Sequence, residues 1–201
     1  MFDHVLCRVC ALVEWHNRAF HPLLPCDDAS VEKHEKELIK ISDEIWHNAE
    51  LALEEYKSSK ILSDYAEKNG FSLERGVAGM PTAFIATYGS GRPRIGILGE
   101  FDANAGISQK AQSKKEALIE GKPGHGCGHN LYGTGSLGAA IAVKELIEKG
   151  KIKGTVVFYG TPAEETIFGK VWFARAGLFN DLDVCLDWHP GDDMEAATQS
   201  S

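Results

Sequence analysis

The sequence TVVFYGTPAEE, residues 155–165, decides the predicted fold class. Its first five residues form an apolar run of β-branched and aromatic side chains, which is typical of a buried strand. A proline and two adjacent carboxylates follow, so the chain becomes polar where the strand ends. Downstream, the pattern predicts a short helix over 170–176 and a further strand over 184–188.

The sequence upstream of this strand also alternates between helical and strand patterns. Ser30 is predicted as the N-cap of a helix whose apolar face carries Leu38, Ile41 and Ile45. A second helix, over about 54–68, is predicted to end at Asn69-Gly70. The remaining predicted elements are a strand over 83–88, a turn over 89–93, a returning strand over 95–98, a Gly-rich loop over 103–130 and a helix over 131–149. Strands that alternate with helices predict an α/β fold, a layered sheet with helices on both faces.

Four polar clusters follow the predicted strands or precede a predicted helix. In open α/β sheets, ligands bind beyond the carboxyl ends of the strands, so these clusters are expected to face one crevice. Cysteine, histidine and glutamate are side chains that bind zinc or manganese. The clusters are Gly99-Glu100-Phe101-Asp102, Gly126-Cys127-Gly128-His129-Asn130, Pro162-Ala163-Glu164-Glu165 and Trp188-His189-Pro190.

Each cluster also has a purely structural interpretation. Cys127 and His129 could lie in a turn whose glycines serve backbone positions with positive φ. The two adjacent glutamates could be solvated, His189 could be a core histidine with satisfied hydrogen bonds, and Asp102 could cap a helix or a turn. Four coincidences at the same sheet edge are much less probable than one, so the joint pattern favours a metal site.

The composition excludes several classes of partner. The chain has 201 residues, of which 43% are hydrophobic and 25% charged, as expected for a globular protein with a real core. A net charge of −8 argues against a surface that binds nucleic acid or an anionic membrane. No stretch approaches the roughly 20 apolar residues of a membrane helix. The five scattered cysteines predict free thiols and therefore a reducing, cytoplasmic location.

Residues 1–29 differ from the rest, because they are rich in cysteine, histidine and tryptophan and show no clear periodicity. Cys7 and Cys10 have the spacing of a zinc half-site, but the spacing of further cysteines and histidines fits no standard zinc finger. We therefore expect an irregular N-terminal extension over 1–29.

The polar clusters also resemble a known family. In their order along the chain, together with Gly79-Met80-Pro81-Thr82-Ala83-Phe84, they are similar to the motifs of the aminoacylase/carboxypeptidase superfamily of metallohydrolases. The resemblance runs from about residue 30 to the end of the sequence. Within the superfamily it is to the amidohydrolase branch that contains p-aminobenzoyl-glutamate hydrolase.

This resemblance implies specific roles for the residues in the clusters. It implies that two divalent ions, manganese or zinc, are held by Cys127, His129, Glu165 and His189. Glu164 would be the general base, and Asp102 would orient a ligand. The implied reaction is hydrolysis of an amide bond in an N-acyl amino acid, an aminobenzoyl-glutamate or a dipeptide, with the full-length protein a homodimer.

The sequence departs from the family pattern in two ways. Members of the family are longer and continue into a lid or dimerisation domain, and then return to the catalytic domain with a further histidine ligand. We therefore expect residues 30–201 to form a partial catalytic domain of a dinuclear metallohydrolase. A catalytically inactive metal-binding fragment or partner subunit is the alternative. In addition, Asp102-Ala103-Asn104-Ala105-Gly106 stands where the family pattern has Asp-Ala-Leu-Pro-Gly.

Overall fold

The computed structural model of this chain describes residues 28–191. The predicted zinc half-site at Cys7 and Cys10, and residues 1–27 of the predicted N-terminal extension, lie outside the described residues. The strands are β1 (Ser72–Arg75), β2 (Phe84–Ser90), β3 (Arg94–Gly99), β4 (Gly154–Gly160) and β5 (Val184–Leu186). They form one sheet in the order β1-β2-β4-β3-β5.

Helices cover both faces of this sheet, as predicted. They are α1 (Asp28–Asn48), α2 (Tyr56–Lys68), α3 (His129–Glu148), α4 (Glu164–Ile167) and α5 (Gly169–Arg175), with a 3-10 turn at Val77–Gly79. Val156 and Phe158 of β4 pack on the side of α1, α2 and α3, whereas Val157 and Tyr159 pack on the opposite side with Phe173 of α5. Each helix between residues 28 and 191 is too short or too polar to pass through a lipid bilayer.

The first helix forms because its apolar residues recur every three or four positions. Leu38, Ile41 and Ile45 are buried on one face, as the sequence pattern predicted. The prediction that Ser30 is the N-cap was wrong, because α1 begins at Asp28 and Ser30 is a buried residue of its first turn. Ala29 has a high helix propensity, so the helix extends over it toward the N-terminus.

The order of the strands differs from the order that the turn after β2 predicted. The turn over 89–93 predicted that β3 returns alongside β2, but β4 lies between them, antiparallel to β2 and parallel to β3. All seven residues of β4 are buried. Burial of a valine or phenylalanine side chain contributes roughly 1.5–3 kcal/mol, so this strand is most stable at the centre of the sheet.

The parallel strands fix the position of the polar clusters. β3 pairs in parallel with both β4 and β5, so the carboxyl ends of all three strands lie at the same edge of the sheet. The amino-terminal end of α3 reaches this edge as well, because Gly133 lies against the backbone of Glu100. A Cβ atom on Gly133 would be only 2.5 Å from the Glu100 carbonyl oxygen.

Candidate metal centre

The structure brings together all six residues that the sequence singled out. The parallel strands deliver carboxylates and a histidine to one edge, and the start of α3 delivers a thiol and a second histidine. They are Asp102 after β3, Glu164 and Glu165 after β4, His189 after β5, and Cys127 and His129 at α3.

Glycine suits the position between Cys127 and His129. Gly128 adopts a left-handed conformation with a φ of 78° directly before α3 begins. A Cβ atom at this position would lie 3.1 Å from Cγ of Pro190. Glycine therefore allows the loop of Cys127 to pack closely against the residue that follows His189.

Asp102 orients His129. Both side chains are buried, and Nδ1 of His129 lies 2.9 Å from Oδ1 of Asp102. A neutral ring that donates from Nδ1 keeps a lone pair on Nε2, which is the arrangement found in metal-binding histidines held by a carboxylate. The other oxygen, Oδ2, accepts a hydrogen bond of 2.9 Å from the backbone N–H of Glu165. Asp102 thereby connects the loops after β3 and β4 to α3.

His189 and Cys127 lie on the same side of the sheet. Sγ of Cys127 is 3.4 Å from Nε2 of His189. Nδ1 of His189 is 2.9 Å from the carbonyl oxygen of Pro190, so a neutral ring donates there and keeps its lone pair on Nε2. The ring centroids of His129 and His189 are 5.5 Å apart. Both imidazoles are therefore held in the tautomer that can bind a metal through Nε2.

Three carboxylates surround Nε2 of His129. The distances are 3.1 Å to Oε2 of Glu100, 3.8 Å to Oε1 of Glu165 and 4.0 Å to Oε2 of Glu164. Nε2 of His129 and Oε1 of Glu165 are both buried and have no hydrogen-bond partner. Buried polar atoms are nearly always paired, so these two atoms indicate a missing positive or donating group.

The donor set fits divalent metal ions. Residues 28–191 contain two groups of three potential ligand residues, and within each group the ligand atoms all lie within 4.8 Å of one another. His129 belongs to both groups. The first contains Cys127 and His189, and the second contains Glu100 and Glu164. Glu165, the carboxylate predicted as a ligand, belongs to neither group, although its unpartnered oxygen faces His129. Thiolate, imidazole and carboxylate donors together are typical of zinc and related metals.

The site has an excess of negative charge. Burial lowers the pKa of His129, but the carboxylates of Asp102 and Glu100 outweigh burial and raise it overall. Burial, with the carboxylates of Glu165 and Glu164, raises the pKa of the Cys127 thiol to about 11. The surrounding carboxylates therefore favour the protonated form of both groups, in addition to burial at Cys127, and a divalent cation would offset the same excess of negative charge.

Sequence reasoning assigned no role to three residues at this site. Glu100 is 1% exposed, and its Oε1 pairs with the ammonium group of Lys170. Glu100 and Asp102 are two residues apart beyond β3, and this spacing is the signal that could have identified Glu100. Oδ1 of Asn104 accepts a hydrogen bond of 3.2 Å from the backbone N–H of Cys127. Asn104, one of the two residues that depart from the family pattern, thus holds the loop that carries the thiol.

Comparison with known proteins finds related peptidases and hydrolases. Residues 109–199 match the family described as peptidase family M20/M25/M40. The chain is 44% identical over 164 residues to one subunit of the p-aminobenzoyl-glutamate hydrolase of Escherichia coli, covering 81% of this chain and 34% of that protein. It is 32% identical over 187 residues to human Xaa-Arg dipeptidase, covering 85% and 38% of the two chains. The chain spans about a third of the length of these curated relatives.

Solved structures share this fold. The crystal structure of Bacillus subtilis YXEP, described as a dinuclear metal-binding peptidase of the M20 family, matches with a TM-score of 0.64 and 23% identity. The match covers 81% of this chain and 44% of YXEP, and it shows the shared fold. Over residues 109–199 the chain therefore matches the peptidase family M20/M25/M40, in agreement with the metallohydrolase family that its motifs resemble.

Proposed function

We propose that this chain contributes to metal-dependent hydrolysis of an amide bond in an N-acyl amino acid, an aminobenzoyl-glutamate or a dipeptide. The observation that carries the proposal is the unpartnered Nε2 of His129, which lies among a thiol, a second imidazole and three carboxylates. The names of the relatives, one an aminobenzoyl-glutamate hydrolase and the other a dipeptidase, support this substrate class.

In this proposal Cys127, His129, Glu165 and His189 hold two divalent ions, manganese or zinc. Asp102 fixes the tautomer of His129 through the 2.9 Å contact with Nδ1. When bound, the ions would polarise the scissile carbonyl and make water a better proton donor at neutral pH.

Glu164 is the proposed general base. It lies at the start of α4, with its side chain about one-third exposed, so it is accessible to water and substrate at the mouth of the site. Its carboxylate accepts a proton from the attacking water and later returns this proton to the departing amine. The adjacent Glu165 is more buried and its backbone is tied to Asp102, so the two carboxylates have different environments suited to different roles.

Metal binding is the first test of this proposal. Titration calorimetry of the 201-residue chain with zinc or manganese is expected to show binding that Cys127→Ser weakens strongly. Cys185→Ser is the matched control, because Cys185 is a free thiol on β5 outside the site. A wild-type chain that binds neither metal would contradict the proposal.

The role of Glu164 is tested by Glu164→Gln, which keeps the shape of the side chain but cannot accept the proton. We expect a loss of about 10²–10⁴-fold in kcat for a dipeptide or acyl amino acid, with the metal dissociation constant little changed. Glu148→Gln, an exposed carboxylate on α3, is the control. Unchanged turnover by Glu164→Gln would exclude Glu164 as the base.

A catalytically inactive metal-binding fragment or partner subunit is the second candidate. It is favoured by the share of the relatives that the chain spans, about a third, and by the name of the E. coli relative, which is one subunit. A chain that binds metal tightly but hydrolyses none of the three substrate classes would support this candidate over the first.

We also propose that the full-length protein is a cytoplasmic homodimer. Cys127 and Cys185, the two cysteines of residues 28–191, are free thiols, which fits a reducing compartment. Light scattering of the full-length protein and fractionation of the source cells test these two points separately.

A further inference from the structure

Glu55 is a buried carboxylate that the proposed mechanism does not use. Its side chain is 0% exposed, although it occupies the N-cap position directly before α2. It makes no capping hydrogen bond to its own helix. A carboxylate withdrawn from water requires hydrogen-bond donors elsewhere in the protein.

Its two oxygens bind two distant segments. Oε1 accepts a hydrogen bond of 2.9 Å from the backbone N–H of Ala163, and Oε2 accepts one of 2.9 Å from the hydroxyl of Thr82. The carbonyl oxygen of Thr82 in turn accepts a hydrogen bond of 2.7 Å from the hydroxyl of Ser59. Glu55 therefore links the start of α2, the segment before β2 and the loop after β4.

Ala163 is the residue whose conformation aims the adjacent carboxylates. It has a left-handed backbone, with φ 61° and ψ 36°, and it directly precedes Glu164 and Glu165. This conformation is unfavourable for a residue with a Cβ atom and persists only where surrounding contacts impose it. The same turn is held four residues further on at the backbone N–H of Ile167, which donates to the Ala163 carbonyl oxygen.

Two buried carboxylates thus accept hydrogen bonds from the two ends of one short turn. Glu55 accepts from the N–H of Ala163, and Asp102 accepts from the N–H of Glu165. Between these two hydrogen bonds lies Glu164. Loss of either bond would allow the turn to relax, and the carboxylates beside Nε2 of His129 would then lose their fixed directions.

We propose that Glu55 is a positioning residue of the metal centre, which holds Ala163 in the left-handed conformation so that Glu164 and Glu165 face His129. This role rests on the proposed metal-binding function. It also gives a function to Thr82, which belongs to the Gly79–Phe84 motif that the metal centre itself leaves unexplained. The amide oxygen of a glutamine would accept the same hydrogen bond from Ala163, so the role requires an acceptor at this position and no negative charge.

The test compares Glu55→Ala with Glu55→Gln in the 201-residue chain, using cobalt(II) as the probe metal. Calorimetry gives the cobalt dissociation constant, and the visible spectrum reports the thiolate and the coordination geometry. We expect Glu55→Ala to weaken cobalt binding by about 10-fold or more and to change the spectrum, as loss of an outer hydrogen bond does at other metal sites. Glu55→Gln is expected to keep both properties close to those of the wild type.

Three results would overturn the role of Glu55. One is a folded Glu55→Ala chain with wild-type affinity and spectrum, and another is a Glu55→Gln chain as impaired as Glu55→Ala. If Glu55→Ala does not fold, Thr82→Val tests the role instead, because it removes the hydrogen bond to Oε2 of Glu55 but keeps the one from the N–H of Ala163 to Oε1. A smaller loss of affinity with an altered spectrum supports the role, and an unchanged spectrum contradicts it. A wild-type chain that binds no cobalt would overturn the proposed function itself, which separates the two failures.

Discussion

Two buried histidines, His34 and His129, lie beside carboxylates in this molecule, and they differ in how completely their hydrogen bonds are satisfied. Nδ1 of His34 is 2.7 Å from the hydroxyl of Tyr65, and Nε2 is 3.2 Å from Oε1 of Glu145. His129 has a hydrogen-bond partner at Nδ1 only; Oε2 of Glu100 lies 3.1 Å from its Nε2 but does not form a hydrogen bond with it. The His34 ring connects α1, α2 and α3, whereas the His129 ring keeps one nitrogen, Nε2, available to bind a metal ion.

The balance of charge differs in the same way. Glu145 is accompanied by two lysines, Lys33 at 2.6 Å and Lys149 at 3.8 Å. Four carboxylates surround His129, and Lys170 pairs with one of them, Glu100. Uncompensated charge is costly to bury. The charges of the His34 cluster (His34, Tyr65, Glu145) are balanced by the two lysines, whereas the His129 cluster (His129 and the carboxylates around it) keeps an excess of negative charge that bound cations would offset. Four measurements test this difference.

Bound metal should stabilise the fold more than any other change tested. Zinc or manganese at about 100 times the dissociation constant should raise the free energy of unfolding by about 2.7 kcal/mol, because the metal binds the folded chain. Urea unfolding with metal and with chelator measures the difference. Glu165→Gln should remove most of it and Glu148→Gln should not. An unfolding midpoint that saturating metal leaves unchanged would contradict the comparison.

Removal of the His34 side chain should lower the stability of the fold without affecting metal binding. His34→Ala leaves the Tyr65 hydroxyl and part of the Glu145 carboxylate without partners, at a cost of about 2 kcal/mol in the free energy of unfolding. The metal dissociation constant should stay the same. His47→Ala, at an exposed position of α1, is the matched control. Weakened metal binding in His34→Ala would show that the two clusters are coupled.

Acid should weaken the His34 cluster. Burial alone would raise the pKa of Glu145, but hydrogen bonds from Lys33 and His34 outweigh burial and lower it from 4.5 to about 2. A lowered folded-state pKa stabilises the fold fully above pH 4.5, and this stabilisation is lost as the pH falls from 4.5 toward 2.

We expect this contribution to be about 1 kcal/mol, because Lys33 is largely exposed and its charge is screened. Unfolding of the wild type and of Glu145→Gln at pH 7, 4.5 and 3 measures it. The difference between the two chains should shrink as the pH falls, and a difference that grows in acid would exclude this assignment.

The smallest expected effect concerns Lys170. Its ammonium group pairs with Glu100 and lies 5.7 Å from the centroid of the Tyr132 ring. Lys170→Met removes a cation from the site, so divalent metal should bind a few-fold more tightly, by less than about 1 kcal/mol. Lys60→Met, on the exposed surface of α2, controls for the overall change in charge. Weaker binding in Lys170→Met would mean that the lysine supports the site in another way.

The sequence predicted those features that depend on local patterns. The recurrence of Leu38, Ile41 and Ile45 identified α1, and the apolar run over 155–159 identified the buried strand. The meeting of the clusters at one edge followed from a general property of parallel strands. Strand order was beyond local reasoning, because the turn over 89–93 looks like a hairpin whether or not a third strand lies between its arms.

Contacts between distant residues were missed for a related reason. Nothing in the spacing of Glu100 and Lys170, or of Glu55 and Ala163, connects these pairs, because each contact joins segments that only the folded sheet brings together. Glu55 precedes a helix, where an acidic residue is ordinarily assigned to capping. The side chain instead reaches the loop after β4.

The insertion of β4 between β2 and β3 has a consequence for biosynthesis. At a translation rate of about 5–20 residues per second, β2 and β3 leave the ribosome several seconds before the strand that joins them. During this interval both strands have unpaired edges, which are the usual templates for association between nascent chains. The loop and helix that separate β3 from β4 therefore set how long these edges stay unpaired during synthesis.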